Sequence, residues 1–451
     1  MVSRTPSVEL DQKPLPAGLP RIDQVRQGEV VAISLSEKTN TYTHGLHRFP
    51  AKYVPQVPRW AIDSLASPGM VILDPFMGSG TTLVEAAMAP VTAVGIDRDR
   101  LAELISGAKI RPPTAARLAA IWADLKKAWR PRRRTTLRAP MPDVENFGHW
   151  FSHEAWAELQ GCLDAIDSLD LPDLEHDFLL VLFSSILRRV SNADDQSQKT
   201  YVSHTFPKSP PPVRQAFEQV VDQALKRVAE FHAGRDARAE VEILAGGDAR
   251  NVDLDDSSVD IVVTSPPYLD SVDYMYNFML EYFWLGPRLG IPDRATFNSE
   301  KRAGIGSKRP MMEASLPGSV SDLLDLEQIQ EGRRRSVTGY MHDMDLHFAE
   351  AARVLREDGY YVMVVGNSQS GAHSIPVHDC LVRLAADHGL HLEHAFGYRI
   401  RRHYMKFPRK GRGGIILVDW ILVFQLGDPR SDSLERLPLL NWKLAPDAVA
   451  H

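Results

Sequence analysis

Two patterns of apolar and polar residues alternate along this chain. Short apolar runs that end in Gly, Pro or Asp read as strands, and longer runs with helical spacing read as helices. The first clear strand is Val71-Ile-Leu-Asp74, followed by a glycine loop and the helical run TTLVEAAMA. A second strand, VTAVGID, covers 91–97. This strand–loop–helix–strand order predicts a parallel sheet with crossover helices, the start of a doubly wound α/β fold.

The character changes over 111–240. Leu118, Ile121, Trp122 and Leu125 share one helical stripe, and HDFLLVLFSSILRRV (176–190) is apolar nearly all round. Such a run predicts a helix buried in a small core of its own. Ser152 stands where an N-cap is expected before HEAWAELQGCLDAI, although Ala155 leaves the capping box incomplete. The sheet pattern resumes with VEILAGGDAR (241–250) and VDIVVTSPPY (259–268), and returns at YYVMVVGNS (360–368). ILVDWILVFQ (416–425) alternates as an antiparallel strand does. The expected layout is an arm over 1–40, a sheet domain in three parts (41–110, 241–285 and 336–428) and a helical insertion over 111–240. A long, mobile, basic loop over 286–335 and a tail over 429–451 complete it.

Apolar residues make up 44% of the chain and charged residues 24%, enough for a packed core. No apolar stretch approaches the roughly 18 residues of a membrane span, and MVSRTPSVELDQKPLP lacks the apolar core of a signal peptide. A soluble cytoplasmic protein without a membrane partner is expected. Cys162 and Cys380 are the only cysteines, too few for a disulfide framework and not spaced as a metal site, so no metal is expected. The formal net charge of −6 speaks mildly against a nucleic-acid partner. Only the face that meets phosphate must be positive, however, and basic clusters do occur at 126–138, 300–309 and 399–412.

The loop Asp74-Pro-Phe76-Met-Gly78-Ser-Gly80-Thr-Thr82 sits where a strand hands over to a helix. Glycines there allow close backbone approach, and the helix start offers unpaired N–H groups. A nucleoside triphosphate calls for Gly-Lys-Ser/Thr, whereas this loop ends Gly-Thr-Thr. A dinucleotide favours a third glycine where Leu83 stands. S-adenosylmethionine remains as a ligand, with a structural tight turn as the alternative. Asp97, 23 residues after Asp74, is placed to accept from ribose hydroxyls. Asp248, in Gly-Gly-Asp-Ala, is placed to accept from an adenine amino group.

The sharpest signal is Thr264-Ser265-Pro266-Pro267-Tyr268. Two prolines cannot continue a central strand; they hold a stiff turn with carbonyls in fixed directions. The nitrogen of an aromatic amine delocalises its lone pair into the ring, so methylating it calls for acceptors that draw on its hydrogens. The Ser265 hydroxyl and the Pro266 carbonyl are suitable acceptors, and Tyr268 offers a face on which a flipped base can stack.

DPFMGSGTT followed downstream by TSPPY resembles the amino-group DNA methyltransferases, which methylate N4 of cytosine or N6 of adenine. The resemblance extends to HRFPAKYVPQVP (47–58), where Phe49, Pro50 and Lys52 would flank the cofactor's methionine end, and covers about half of the chain. It implies a Rossmann-like methyltransferase sheet with an antiparallel C-terminal strand. S-adenosylmethionine would be held by Phe49, Lys52, Asp74, Phe76, Gly78, Gly80, Thr82, Asp97 and Asp248. The target amine would be held by the turn Ser265, Pro266, Pro267 and Tyr268. Ser at the head of the turn mostly marks N4-cytosine enzymes, and Asp or Asn usually N6-adenine. The expected activity is therefore site-specific DNA cytosine-N4 methylation of the restriction–modification type, with adenine-N6 as the alternative. An RNA amino-methyltransferase or a non-catalytic DNA-binding subunit stands further off.

Two departures bear on recognition of the target sequence. The glycine loop precedes SPPY, opposite to the permuted order common among N4-cytosine enzymes. The helical insertion falls between the second strand and Gly-Gly-Asp-Ala, away from the usual place of a target-recognition domain. The candidates for reading the sequence are 111–240, 286–335, or both. The aromatic-interleaved basic run RIRRHYMKFPRKGR marks Arg401, Arg402, Lys406, Arg409 and Lys410 as DNA contacts, together with Lys308 and Arg309. Cytosine-C5 chemistry needs a nucleophilic Cys. Both cysteines instead lie in helical patterns where a buried thiol is common.

Overall fold

The computed structural model describes residues 30–31, 39–50, 52–144, 146–195, 200–203, 205, 207–269, 274–307, 310, 313–366, 369–370, 373–399 and 418–428. Its strands are β1 (Val30–Val31), β2 (Val71–Asp74), β3 (Thr92–Ile96), β4 (Glu240–Leu244), β5 (Val259–Thr264), β6 (Leu355–Gly366), β7 (Gln369–Ser370), β8 (His373–Ser374), β9 (Leu390–Arg399) and β10 (Val418–Leu426). β7 and β8 form a two-residue hairpin, and the other eight make one sheet in the order β1-β9-β10-β6-β5-β2-β3-β4.

β4, β3, β2, β5 and β6 are mutually parallel, and β10 runs antiparallel between β6 and β9. From β2 the chain winds outward to β3 and β4, then crosses back to place β5 on the other side of β2. The order reverses between β2 and β5. Ligands of open α/β sheets bind at such a reversal, outside the carboxyl ends of the strands. The sequence places the glycine loop and SPPY at those two ends.

Differences from the sequence-based layout have local causes. β10 is buried along both faces, with Val418 to Phe424 all buried, because helices cover both sides of the sheet. The 1–40 arm contributes β1, which pairs in parallel with Gly397 and Tyr398 of β9. The insertion is helical as expected, and Ser152 caps its helix by accepting from Ala155 N at 3.1 Å. Its core is shared, not its own. Phe178 to Val190 pack in one cluster with Leu101, Ile105 and Ala108 of the helix Arg100–Ile110 and with Phe278 to Leu285. The 286–335 segment is no plain loop: it contains the helix Arg294–Ala303, capped by Asp293 and anchored by the ring of Phe297 against Tyr282. Among the described residues, no helix is long and apolar enough to cross a membrane.

Candidate active site

β2 is buried along Ile72 to Asp74, and its chain turns at once into the glycine loop. Gly78 (φ 49°) and Gly80 (φ 72°) adopt left-handed backbone that side chains rarely tolerate. A Cβ at Gly80 would also stand 2.9 Å from Ser106 Oγ. The helix Arg100–Ile110 grips the loop from behind: Ser106 Oγ donates to Gly78 O at 2.8 Å, and Lys109 Nζ donates to Ser79 O at 2.8 Å. Lys109 is wholly inaccessible, and burial drives its ammonium well below the usual lysine range. The loop shape is thus fixed before any ligand binds.

β3 delivers Asp97 to the front of this loop. One carboxylate oxygen accepts from Gly78 N at 2.9 Å, and the other from Asp99 N at 2.8 Å. Burial, and then the nearby Asp99 carboxylate, push Asp97 up to about 7. Asp99 Oδ1 caps the following helix through Leu101 N and Ala102 N and also accepts from the Tyr282 hydroxyl. Its Oδ2 is buried with no partner, and so is Ser79 Oγ. Both residues line the cavity described below.

β5 ends in the proline turn. Thr264 Oγ1 donates to Asp74 Oδ1 at 2.6 Å, joining the two strands that flank the reversal. The Thr82 hydroxyl donates to the other Asp74 oxygen, and the Tyr53 hydroxyl hydrogen-bonds to Thr82. Burial lifts Asp74 to about 6 against the hydrogen bonds from Thr264 and Thr82. Ser265 Oγ donates to Val364 O of β6 at 3.2 Å. The Tyr268 hydroxyl donates to Asp419 Oδ1 at 3.1 Å, while Tyr398 donates to Asp419 Oδ2 at 2.8 Å.

The loop, Asp97 and the turn open on one cavity of about 200 Å³. Phe49, Lys52, Phe76, Gly78, Asp97, Asp248, Ser265 and Pro267 all line it. Asp74 and Thr82 are fully buried behind it, and Gly80, Pro266 and Tyr268 also stand outside its lining. Lys52 Nζ donates to His44 O at 3.0 Å, and burial, reinforced by the Arg227 charge, lowers it to about 8. The roof comes from Glu300, Lys301 and Gly304 to Ser307. Arg98 ties it down by bridging Asp248 at 2.8 Å and Glu300 at 3.1 Å. Asp248 also pairs with Arg250 at 2.8 Å. Burial pushes its carboxyl up, but the hydrogen bonds from Arg250 and Arg98 outweigh this and hold it well below the usual range.

Sequence reasoning missed Thr264, Tyr53, Asp99, Arg98 and the roof. Asp99 carried a legible signal, a second carboxylate two residues past Asp97 at a strand end. The roof carried none. Of the expected DNA contacts, Lys308, Arg309, Arg401, Arg402, Lys406, Arg409 and Lys410 lie outside the described residues.

An α/β sheet with a glycine loop and a proline turn meeting in one cavity at its reversal point defines the methyltransferase class of fold. Residues 23–105 match the family model described as DNA methylase. The chain is 28% identical over 409 residues to the Type II methyltransferase M.MvaI of Kocuria varians, an alignment covering 83% of this chain and 86% of that one. It is also 36% identical over 92 residues to the Type II methyltransferase M.MjaII of Methanocaldococcus jannaschii, covering 20% and 17% of the two chains. Among solved structures, a TehB-like SAM-dependent methyltransferase from Corynebacterium glutamicum aligns over 82% of this chain and 87% of its own, at 11% identity and a TM-score of 0.27. The chain is thus similar to the N4/N6 amino-group DNA methyltransferases, and its methyl donor is S-adenosylmethionine.

Proposed function

We propose that this protein methylates N4 of cytosine within a specific DNA sequence. One observation carries the reading: the turn headed by Ser265 is hydrogen-bonded through Thr264 to Asp74 of the glycine loop, and its Ser265 and Pro267 line the same cavity as Gly78 and Asp97. Ser at the head of that turn favours cytosine over adenine.

The cavity's chemistry fits the donor. Lys52 offers a cation for the methionine carboxylate, and Asp97 a carboxylate for the ribose hydroxyls. Ser79 and Asp99 add further polar residues to the lining, and Phe49 and Phe76 apolar walls. Asp248 would face the adenine edge. Gly78 meets the ligand through its backbone, and Asp74, Gly80 and Thr82 act from behind by holding the loop. When bound, the donor supplies an electrophilic methyl group on a sulfonium.

The residues of the turn orient the amine. Because Ser265 Oγ donates to Val364 O, its hydrogen points into the sheet and its lone pairs are left to accept from the target amine. The Pro266 carbonyl accepts the second amine hydrogen, drawing the nitrogen towards a pyramidal, nucleophilic form. Pro267 stiffens the turn, and Tyr268 stacks on the flipped base while Asp419 fixes its ring from behind. Catalysis is then mainly orientation and polar stabilisation, with no covalent intermediate.

Ser265→Ala tests the assignment. It should lose at least tenfold in turnover on DNA while S-adenosylmethionine affinity, measured by calorimetry, holds. Unchanged turnover would overturn the role of Ser265.

A further inference from the structure

We propose that the arc of cations from Lys126 to Arg138 is a DNA-backbone contact that grips phosphates beside the target base. The inference rests on the DNA methyltransferase reading and adds a site outside the cavity. Between Asp124 and Asp143 the chain carries seven lysines and arginines and no acid, in a protein whose net charge is −6. All seven are exposed. Lys127 pairs with Asp124, and Arg132 with Asp164. The Arg130 and Arg138 guanidinium groups bond to the backbone carbonyls of Trp129 and Leu137, which leaves their charge unneutralised.

The backbone beneath these cations is pinned, unlike that of a loose solvated run. Trp129 is wholly buried and its indole N–H donates to Glu158 O at 3.0 Å. Arg132 N donates to Ala157 O at 3.0 Å, and Arg138 N to Gln160 Oε1 at 3.2 Å. Gly161 makes this closeness possible: a Cβ there would stand 1.9 Å from Arg130 O. The segment therefore lies flat on the helix His153–Ser168 with its charges turned outward, so little ordering entropy is lost when phosphate binds.

Topology puts the arc at the cavity's end of the molecule. β3 delivers Asp97 to the cavity, and the helix Arg100–Ile110 runs back to the far end, where Arg235, just ahead of β4, donates to Ile110 O. The helix Ala115–Ala128 then returns about 20 Å at 1.5 Å per residue. Its neighbour Val213–Gly234 ends beside the start of β4, so its own beginning is at the cavity end. There Arg214 lies over the Trp129 ring at 4.5 Å. Asp143, just past the arc, accepts from Arg294 N at 2.9 Å, and the helix starting at Arg294 runs on into the cavity roof.

Phosphate contacts release condensed counterions, so each one adds about 0.9 to the slope of log affinity against log salt. The test is the triple variant Arg130→Ala/Arg133→Ala/Arg134→Ala, titrated with specific and random duplexes over a salt series. Its affinity should fall at least tenfold at low salt, equally on both duplexes, with the slope shallower by about 2 to 3. The corresponding triple Lys variant should recover most of the slope. Retained S-adenosylmethionine binding shows that the fold is intact. An unchanged slope in a folded triple Ala variant would overturn the proposal and leave a solvated face. A loss confined to the specific duplex would also contradict it, since phosphate carries no sequence. Wild-type protein that methylates DNA while the variant keeps its slope defeats this inference alone; wild-type protein inactive on every DNA defeats the reading beneath it.

Discussion

Thr264 donates a 2.6 Å hydrogen bond to Asp74, and through it the strand that ends in the proline turn is fixed to the strand that opens the glycine loop. Both residues are fully buried and neither lines the cavity. Under the proposed function, their bond sets the spacing between methyl donor and target amine, whose reacting atoms must meet within about 3–3.5 Å.

Thr264→Val removes that hydrogen bond with little change in shape. Loss of a hydrogen bond to a buried carboxylate costs about 1.5–3 kcal/mol. If the spacing depends on the bond, kcat should fall about 10- to 100-fold while cofactor affinity stays within about threefold. Thr264→Ser should restore most of the rate. Equal loss in the Val and Ser variants, or a purely thermal destabilisation with normal kcat, would show that the bond serves folding only.

Cofactor affinity should peak between about pH 7 and pH 8. Asp97 is raised to about 7 by burial and by Asp99, so below that value it takes up a proton and loses acceptor capacity for the ribose. Lys52 is lowered to about 8 by burial and the Arg227 charge, so above that value it loses the charge proposed to meet the methionine carboxylate. Calorimetric titration across pH 5.5 to 9.5 should trace both limbs. Asp97→Asn should flatten the acid limb and Lys52→Met the basic one. A profile indifferent to both variants would remove these residues from the binding site.

Tyr268 has two separable features, its ring and its hydroxyl. Tyr268→Phe keeps the ring and breaks only the bond to Asp419, so turnover should fall by less than about tenfold. Tyr268→Ala removes the stacking face as well and should lose more than tenfold, with cofactor affinity retained. Equal effects of the two would show that the hydroxyl anchor, and not the stacking face, is what matters.

Gly80→Ala should weaken cofactor binding at least tenfold. The residue holds φ at 72°, and the new Cβ would press on Ser106 Oγ, the group that fixes Gly78 O. Adding Ser106→Ala should relieve the crowding but not the backbone strain, giving partial recovery in the same titration. Full recovery in the double variant would show that crowding, not backbone conformation, is what disfavours a side chain at this position.

The parts of the site legible in the sequence are those that combine a strand end with residues a strand cannot use. Asp74 with its glycines, Asp97 at the end of β3, and the two prolines after β5 all read this way, whereas the reversal where they meet came only with the sheet order. What stayed hidden depends on partners distant in sequence. Nothing local to Thr264 says that it faces Asp74, 190 residues away, and nothing in GIGS marks 304–307 as a roof. The shared core of the insertion was equally invisible, because Phe278 to Leu285 lie nearly a hundred residues beyond the helix they cover. β9 was overlooked because HLEHAFGYR alternates too weakly to stand out until Trp420 and its neighbours pair with it.

The most direct measurement incubates the protein with methyl-labelled S-adenosylmethionine and unmethylated genomic DNA, digests the product to nucleosides and resolves them by mass spectrometry. Label in N4-methylcytosine is the predicted result. Label in N6-methyladenine would contradict the role given to Ser265 in selecting the base while leaving the geometry of the site in place. No labelled nucleoside from DNA, with cofactor binding intact, would contradict the central claim itself.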